Sequence, residues 1–198
     1  MNTLDIVYSH VQESIDVKQA LLADEQAMGC IQRIADVCTE AYRRGNKILW
    51  AGNGGSAADA QHMAGEMVSK FYFDRPALPS IALTTDTSII TAISNDMDYS
   101  DIFARQLQAQ GVKGDVLVGI STSGYSRNLI KALPVCRQRG IASVALIGQR
   151  PCPMDEWDYV VKIPSTQTPR IQECQTLIGH IICCIVESNL FGHEKPCK

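Results

Sequence analysis

Val116-Leu117-Val118-Gly119-Ile120-Ser121-Thr122-Ser123-Gly124-Tyr125-Ser126 is the stretch on which the fold of this chain turns. Its first half, residues 116–120, is a short apolar run behind Lys113-Gly114-Asp115, and such a run bounded by turn residues predicts a buried strand. Its second half is abruptly polar, and Leu129, Ile130 and Leu133 then take up helical spacing. Hydroxyls and free backbone N–H groups therefore collect where a strand ends and a helix begins. That place suits an anion, because orphan N–H groups and the helix dipole both favour negative charge. No Gly-x-x-x-x-Gly-Lys pattern is present, so the hydroxyls of Ser121, Thr122, Ser123 and Ser126 suit a phosphomonoester better than a nucleoside triphosphate. A serine-rich turn that only caps a helix would have the same composition.

On either side of this stretch, strands and helices alternate. Upstream, residues 47–51 predict a strand, Gly52-Asn53-Gly54-Gly55-Ser56 a loop, and residues 57–70 a helix with Ser56 as N-cap and Asp59 in its first turn. Residues 80–84 predict a strand and 86–93 a short helix leading to the polar break Ser94-Asn95-Asp96, which suits either sugar hydroxyls or a simple turn. Residues 101–110 predict a further helix, stopped by Gly111. Downstream, the helix after Gly124 carries Pro134 in its interior, where a kink or early break is expected, and ends near Gly140. Strands follow at 143–147 and 159–163, separated by an irregular segment with Pro151, Pro153 and a packed Trp157. The alternation predicts an α/β fold, a doubly wound, five-stranded parallel sheet flanked by helices. Ligands of such folds sit outside the carboxyl ends of the strands, where the Asn53 and Ser121 loops both lie.

Two helices are predicted over residues 1–44, the second closing at Gly45 with Arg43 and Arg44 in its last turn. This N-terminal helical extension has no sheet of its own to cover and is expected to pack on another subunit. The 198 residues fit a single domain, with 1–45 as helices used in oligomerisation and 46–198 as the α/β core. A net charge of -3 and the lack of a basic run argue against nucleic acid. No apolar stretch is read as a membrane span and no signal peptide is recognised, which predicts a cytoplasmic chain without a membrane partner. The cysteines at 30, 38, 136, 152, 174, 183, 184 and 197 form no Cys-x-x-Cys pair and are expected to be reduced, with Cys183 and Cys184 as small core residues.

Two histidines stand apart. His62 and Glu66 lie four residues apart on one helix face, where they can share a metal, divide acid–base work or form an exposed ion pair. Neighbours Ala58, Met63, Ala64 and Met67 predict a largely buried helix. The final helix, residues 170–191, is apolar except for interruptions such as Gln172 and His180, and His180 by itself reads as a satisfied core histidine.

Residues 51–62 (Ala-Gly-Asn-Gly-Gly-Ser-Ala-Ala-Asp-Ala-Gln-His), with Gly119-Ile120-Ser121-Thr122-Ser123-Gly124 and Arg170-Ile171-Gln172-Glu173, resemble the phosphoheptose isomerase family of sugar isomerase (SIS) domain proteins. The resemblance spans about residues 30–190 in one motif order. It implies a flavodoxin-like fold and a cytoplasmic homotetramer with sites at subunit interfaces. It also implies conversion of sedoheptulose 7-phosphate to D-glycero-D-manno-heptose 7-phosphate, for bacterial surface lipopolysaccharide. By the resemblance, Ser121, Thr122, Ser123 and Ser126 hold the phosphate, and Asn53, Gly54, Gly55, Ser56, Asn95, Asp96 and Gln172 contact the substrate. Glu66 and His180 correspond to the acid–base pair, and His62, Glu66, Gln172 and His180 to zinc (Zn2+) ligands. Lys70 stands where the family commonly has Arg, and Gln175 where many members have a second His. Other SIS-domain proteins bind partners without catalysis, including a replication-initiator-associating factor, but those lack the Glu and His kept here. Gln172 and His180, eight residues apart, would stand roughly 12 Å apart on a straight helix. One metal with bonds of about 2 Å does not take both. Either the helix begins after Gln172 or the two come from different subunits, and the second is favoured.

Overall fold

Every residue of β1 (Ile48–Gly52) and β3 (Val116–Ser121) is buried, as parallel strands covered on both faces must be. The computed structural model describes residues 2–72 and 74–192. With β2 (Ser80–Ala82), β4 (Ala142–Gly148) and β5 (Tyr159–Ile163) these strands make one all-parallel sheet in the order β2-β1-β3-β4-β5. The helices are α1 (Thr3–Leu22), α2 (Glu25–Arg43), α3 (Gly55–Val68), α4 (Thr87–Asp96), α5 (Ile102–Gln110), α6 (Arg127–Arg139) and α7 (Thr168–Phe191). Alternate strand residues face opposite layers. Ile48, Trp50, Val118, Ile120, Leu146 and Val161 meet α2, α3 and α7, whereas Leu49, Ala51, Leu117, Ala145 and Ile147 meet α4, α5 and α6. The predicted doubly wound sheet is therefore present, and strand order reverses between β1 and β3. That switch point puts the Asn53 and Ser121 loops side by side at the carboxyl edge.

Several boundaries differ from expectation, each for a local reason. Gly54, not Ser56, precedes the first turn of α3; Ser56 is buried inside the helix, and Asp59 accepts from Thr176 of α7 (2.9 Å) instead of serving that turn. Asp86 caps α4 through Ile89 N–H (2.9 Å), and the helix runs on through Asn95 and Asp96, so those residues close a helix rather than a break. The helix α6 continues for five residues past Pro134 and ends at left-handed Gly140. A short 3-10 turn, Pro153–Glu156, orders part of the segment read as irregular. By length and composition α7 is apolar enough to cross a membrane, contrary to the sequence reading, but it is seated among α2, α3 and β4 in the domain core. Six cysteines (30, 38, 136, 152, 174 and 183) are free. Cys183 is buried, whereas Cys184 is half-buried and disulfide-bonded, against the expectation of reduced thiols throughout. Cys197 lies outside the described residues.

The expectation that both N-terminal helices lack a sheet to cover fails for α2, which packs on β3 and β5 through buried residues such as Ile31, Ile34 and Cys38 and so belongs to the α/β core. The first helix, α1, packs on α2 and α7. Only Leu21 of α1 is buried, while Leu4, Val7, Tyr8, Val11 and Ile15 are exposed. It is tied to the core at α7, where Ser14 Oγ donates to Glu173 (2.6 Å) and Arg170 Nη1 to the carbonyl of His10 (2.6 Å).

Asp115 pins the opposite edge of the sheet. Its fully buried carboxylate accepts from Lys47 Nζ (2.7 Å), Lys47 N–H (3.1 Å), Val112 N–H (2.9 Å) and Asn46 Nδ2 (3.1 Å). Burial alone would raise its pKa, but the Lys47 side chain and these donors outweigh burial and hold it below the usual carboxylate range. A depressed folded pKa gives stability that is complete above the unfolded value of about 3.9 and is lost as pH falls through the folded value. Asp115→Asn should therefore lower the unfolding free energy by about 3 kcal/mol at neutral pH. In urea titrations the gap from the parent should close as pH drops below about 4.

Candidate functional site

The helices α3 and α7 both leave the carboxyl edge of the sheet and run back along the same face in step. Gln172 lies against Gly55, Thr176 Oγ1 donates to Asp59, and Gly179 lies against Met63, where an added Cβ would come within 2.4 Å of the Met63 sulfur. This register brings His180 to the His62–Glu66 face. His62 Nε2 lies 3.1 Å from Glu66 Oε1 and 3.4 Å from His180 Nε2. The His62 and His180 rings meet edge to face at 4.9 Å, and Phe71 lies against His180 at 5.4 Å. Among the described residues, one ligand atom from each of His62, Glu66 and His180 falls within 4.8 Å of the others.

Three features of this cluster bear on chemistry. Donors bound to one tetrahedral ion at about 2.0–2.1 Å stand roughly 3.3 Å apart, close to the two separations seen, and a His/Glu/His set with an open position is a familiar catalytic-zinc arrangement. Burial first, then the neighbouring His62, hold the His180 imidazole below its usual range, which favours the neutral ring a metal or a proton shuttle needs. The α3 helix is buried on one face only: Ala60, Met63, Ala64 and Met67 face the core, while Ala58 and the His62 side chain (45% exposed) are open.

Gln172 does not join this cluster. It shares the unbroken α7 with His180, so the alternative in which the helix starts later falls away. Its amide sits at the Gly54-Gly55 turn, an axial distance of roughly 12 Å from His180. The anion loop lies at that same upper end. Its Gly124 has φ +70°, and its N–H donates to Ser121 Oγ (3.1 Å), which also pairs with Ser126 Oγ (3.0 Å). Ser121 is thus committed within the turn and buried. Thr122 and Ser123 line a cavity of about 200 Å³ with Arg150, Ser165 and Thr168, whereas Ser126 and Asn53 line another of about 380 Å³ with Tyr99 and Asn128. The four hydroxyls therefore do not all face one space. A larger cavity of about 640 Å³ between α2 and β5 holds none of the sequence-predicted residues.

The side chain of Asn53 is also committed. It exchanges two amide hydrogen bonds with Asn128 (3.0 and 2.8 Å) and accepts from Tyr99 Oη (2.9 Å). Asn128 and Tyr99 escaped sequence reasoning because nothing in one chain's sequence marks a long-range amide pair. Arg150, the one charged residue lining the smaller cavity, also escaped. Its place directly after β4, at the ligand-bearing edge, was the available signal. Asn95 and Asp96 are exposed at the end of α4 and bond to each other (2.8 Å). Lys70 pairs with Asp74 on the surface (3.0 Å), and buried Gln175 donates to the carbonyl of Leu146 (2.7 Å).

The SIS domain family model matches residues 12–148. The chain is 58% identical over 191 residues to the phosphoheptose isomerase of Aneurinibacillus thermoaerophilus, covering 96% of each chain. It is 58% identical over 198 residues to phosphoheptose isomerase 2 of Campylobacter jejuni, covering 100% of this chain and 98% of that one. The solved phosphoheptose isomerase of Neisseria gonorrhoeae superposes with a TM-score of 0.88 at 38% identity, over 94% of this chain and 100% of that one.

The cluster depends on the α3–α7 spacing, and glycines on the two faces of the pair test it. Gly179→Val should force the helices apart and lower the unfolding free energy by about 1–3 kcal/mol. Gly65→Ala has nothing within 4 Å of the new Cβ and should leave stability unchanged or raise it in the same denaturant titration.

Proposed function

The chain belongs to the phosphoheptose isomerases of the SIS domain family, and on that premise we propose that it interconverts sedoheptulose 7-phosphate and D-glycero-D-manno-heptose 7-phosphate. It is an aldose–ketose isomerase. The observation that carries this reading is the meeting of Glu66 and His180, brought from distant parts of the sequence to one side of the α3–α7 pair.

Glu66 is the group that takes a proton from C1 of the ketose and returns it to C2. Its Oε1 faces His62 at 3.1 Å, which leaves Oε2 for the transferred proton. His180, with one N–H and one bare nitrogen when neutral, donates to O2 as the enediol forms and accepts from O1 as the aldehyde forms. Electrons move from the C1–H bond into the enediol and back to a C2–H bond, so no outside oxidant is required. His62, Glu66 and His180 have the separations of a zinc site, and zinc bound there would polarise the carbonyl and stabilise negative charge on the enediolate. At the upper end, the Thr122, Ser123 and Arg150 cavity takes the phosphate, with Ser121 and Ser126 shaping its loop. Gly54, Gly55 and Ser56, with Gln172, line the approach to the sugar, and Asn53 serves through the backbone that its side chain fixes.

Gln172 of the same chain stands too far along α7 to share a metal with His180. A homotetramer whose neighbouring subunit supplies Gln172, Asn95 or Asp96 resolves this, and the exposed apolar face of α1 is suited to such an interface. Sugar phosphates are made and used in the cytoplasm, the compartment we assign.

An isomerase assay on sedoheptulose 7-phosphate tests the activity. Glu66→Gln and His180→Gln should each lower kcat by about 10²–10⁴-fold. Folded variants with parental turnover would remove the acid–base assignment, and a parent without turnover would favour a purely binding role. Zinc titration should give one site per chain, lost in His62→Ala. Mixing Glu66→Gln subunits with Gln172→Ala subunits should restore part of the activity if sites are shared, and a fully active monomer would refute sharing.

A further inference from the structure

Arg75 and Glu187 form an ion pair that the proposed chemistry does not use, although both side chains are 1% exposed and meet at 2.8 Å. A buried pair of charges is weak evidence for stability, because desolvation offsets much of the attraction. What this pair does is visible in its other bonds. Arg75 Nη2 donates to the carbonyl of Glu66 (2.9 Å) and Nη1 to that of Met67 (2.8 Å). Carbonyls in the last turn of a helix have no partner within it, so the guanidinium ends α3 in place of a cap at the turn carrying Glu66. Glu187, on α7, accepts the N–H groups of Phe71 (3.0 Å) and Tyr72 (2.6 Å). The ring of Phe71 in turn packs on His180.

From these contacts we propose that Arg75 and Glu187 are positioning residues for proton transfer. One partner fixes the peptide carrying Glu66 and the other fixes the aromatic ring that sets the plane of His180. This rests on the acid–base assignment to Glu66 and His180. A planar fork is needed at position 75, since only a guanidinium reaches Glu187 and the carbonyls of Glu66 and Met67, with those of Ser69 and Pro76, at once; lysine keeps the charge but not the geometry.

Arg75→Lys is the direct test, assayed well below its thermal midpoint so that only folded protein is measured. We expect kcat to fall at least ~10-fold with KM within about twofold, because removing an interaction made only in the transition state lowers kcat without raising KM. The His180 ring resonance, identified with His180→Gln, should shift in the variant as Phe71 moves. Glu187→Gln keeps one acceptor oxygen but sets an amide NH2 against the other backbone N–H, and should reproduce both changes if Arg75→Lys does not fold. Arg75→Met/Glu187→Gln removes the buried charges and should be folded but slow. A folded variant with parental kcat, a loss carried by KM, or a slow variant with an unmoved His180 resonance would each overturn the proposal. If Glu66→Gln itself retains parental turnover, it is the acid–base assignment that fails.

Discussion

Gly179 lies against the Met63 side chain, where an added Cβ would come within 2.4 Å of the sulfur, and that close approach, together with Gln172 against Gly55, holds α3 and α7 at their spacing. A larger residue at 179 would lift His180 away from His62 and Glu66, because all three stand on the outer side of the same helix pair. The rest of the architecture supports this contact. Trp50, Ile120 and Leu146 form the floor under both helices, and the Arg75–Glu187 pair fastens their far end. Each large apolar side chain in that floor contributes about 1.5–3 kcal/mol by leaving water. The polar cluster therefore sits on a base stiff enough to hold donor atoms in place, and close-packed interiors shift in steps rather than deform smoothly.

The carboxyl edge solves a different problem, which is to keep the loops that follow the strands ordered. Side chains do the ordering. Asn53 and Asn128 join the loop after β1 to the start of α6, and Ser121 closes the turn after β3 through Gly124 and Ser126. Each of these groups is spent on its neighbours, and the Ser121 and Ser123 hydroxyls also accept the N–H groups of Gly124 and Tyr125. The glycines have a matching role: Gly124 at φ +70° supplies the left-handed turn, and Gly55 leaves space that Gln172 fills.

The parallel sheet was legible because its strands are buried on both faces, and that condition writes continuous apolar runs such as 116–120 into the sequence. The helix ends were less legible. Ser56 has the chemistry of an N-cap, but tertiary packing drew it into α3 behind Gly54, and Asn95-Asp96 look like a break until the α4 cap at Asp86 carries the helix through them. Periodicity put His62 and Glu66 on one face, and the family resemblance supplied His180 as their partner. Neither could give the register of α3 on α7, which follows from a glycine meeting a methionine. The separation of Thr122 and Ser123 from Ser126, which lines another cavity, with Ser121 lining neither, was hidden for the same reason. Composition says that hydroxyls are near one another, and only the turn geometry says which way each one points.

The same straight α7 that makes the cluster also divides the site. Gln172 at its upper end belongs with the Gly55 turn and the anion loop, while His180 lies more than two turns further down, on the open side of the layer. A rigid helix cannot bend to bring these ends together, since the core residues Cys174, Ile178, Ile182 and Val186 anchor it along its length. Nearly half of the His62 side chain is exposed, which is unusual for a group meant to work in a desolvated pocket. In the assembly proposed above, a second surface covers it. The fold provides a candidate in α1, which joins α7 through Arg170 and Glu173 and presents Leu4, Val7, Tyr8 and Val11 outward. In the proposed assembly, catalysis and association would share one cause: the site closes when an apolar face that has no partner in its own chain finds one in another.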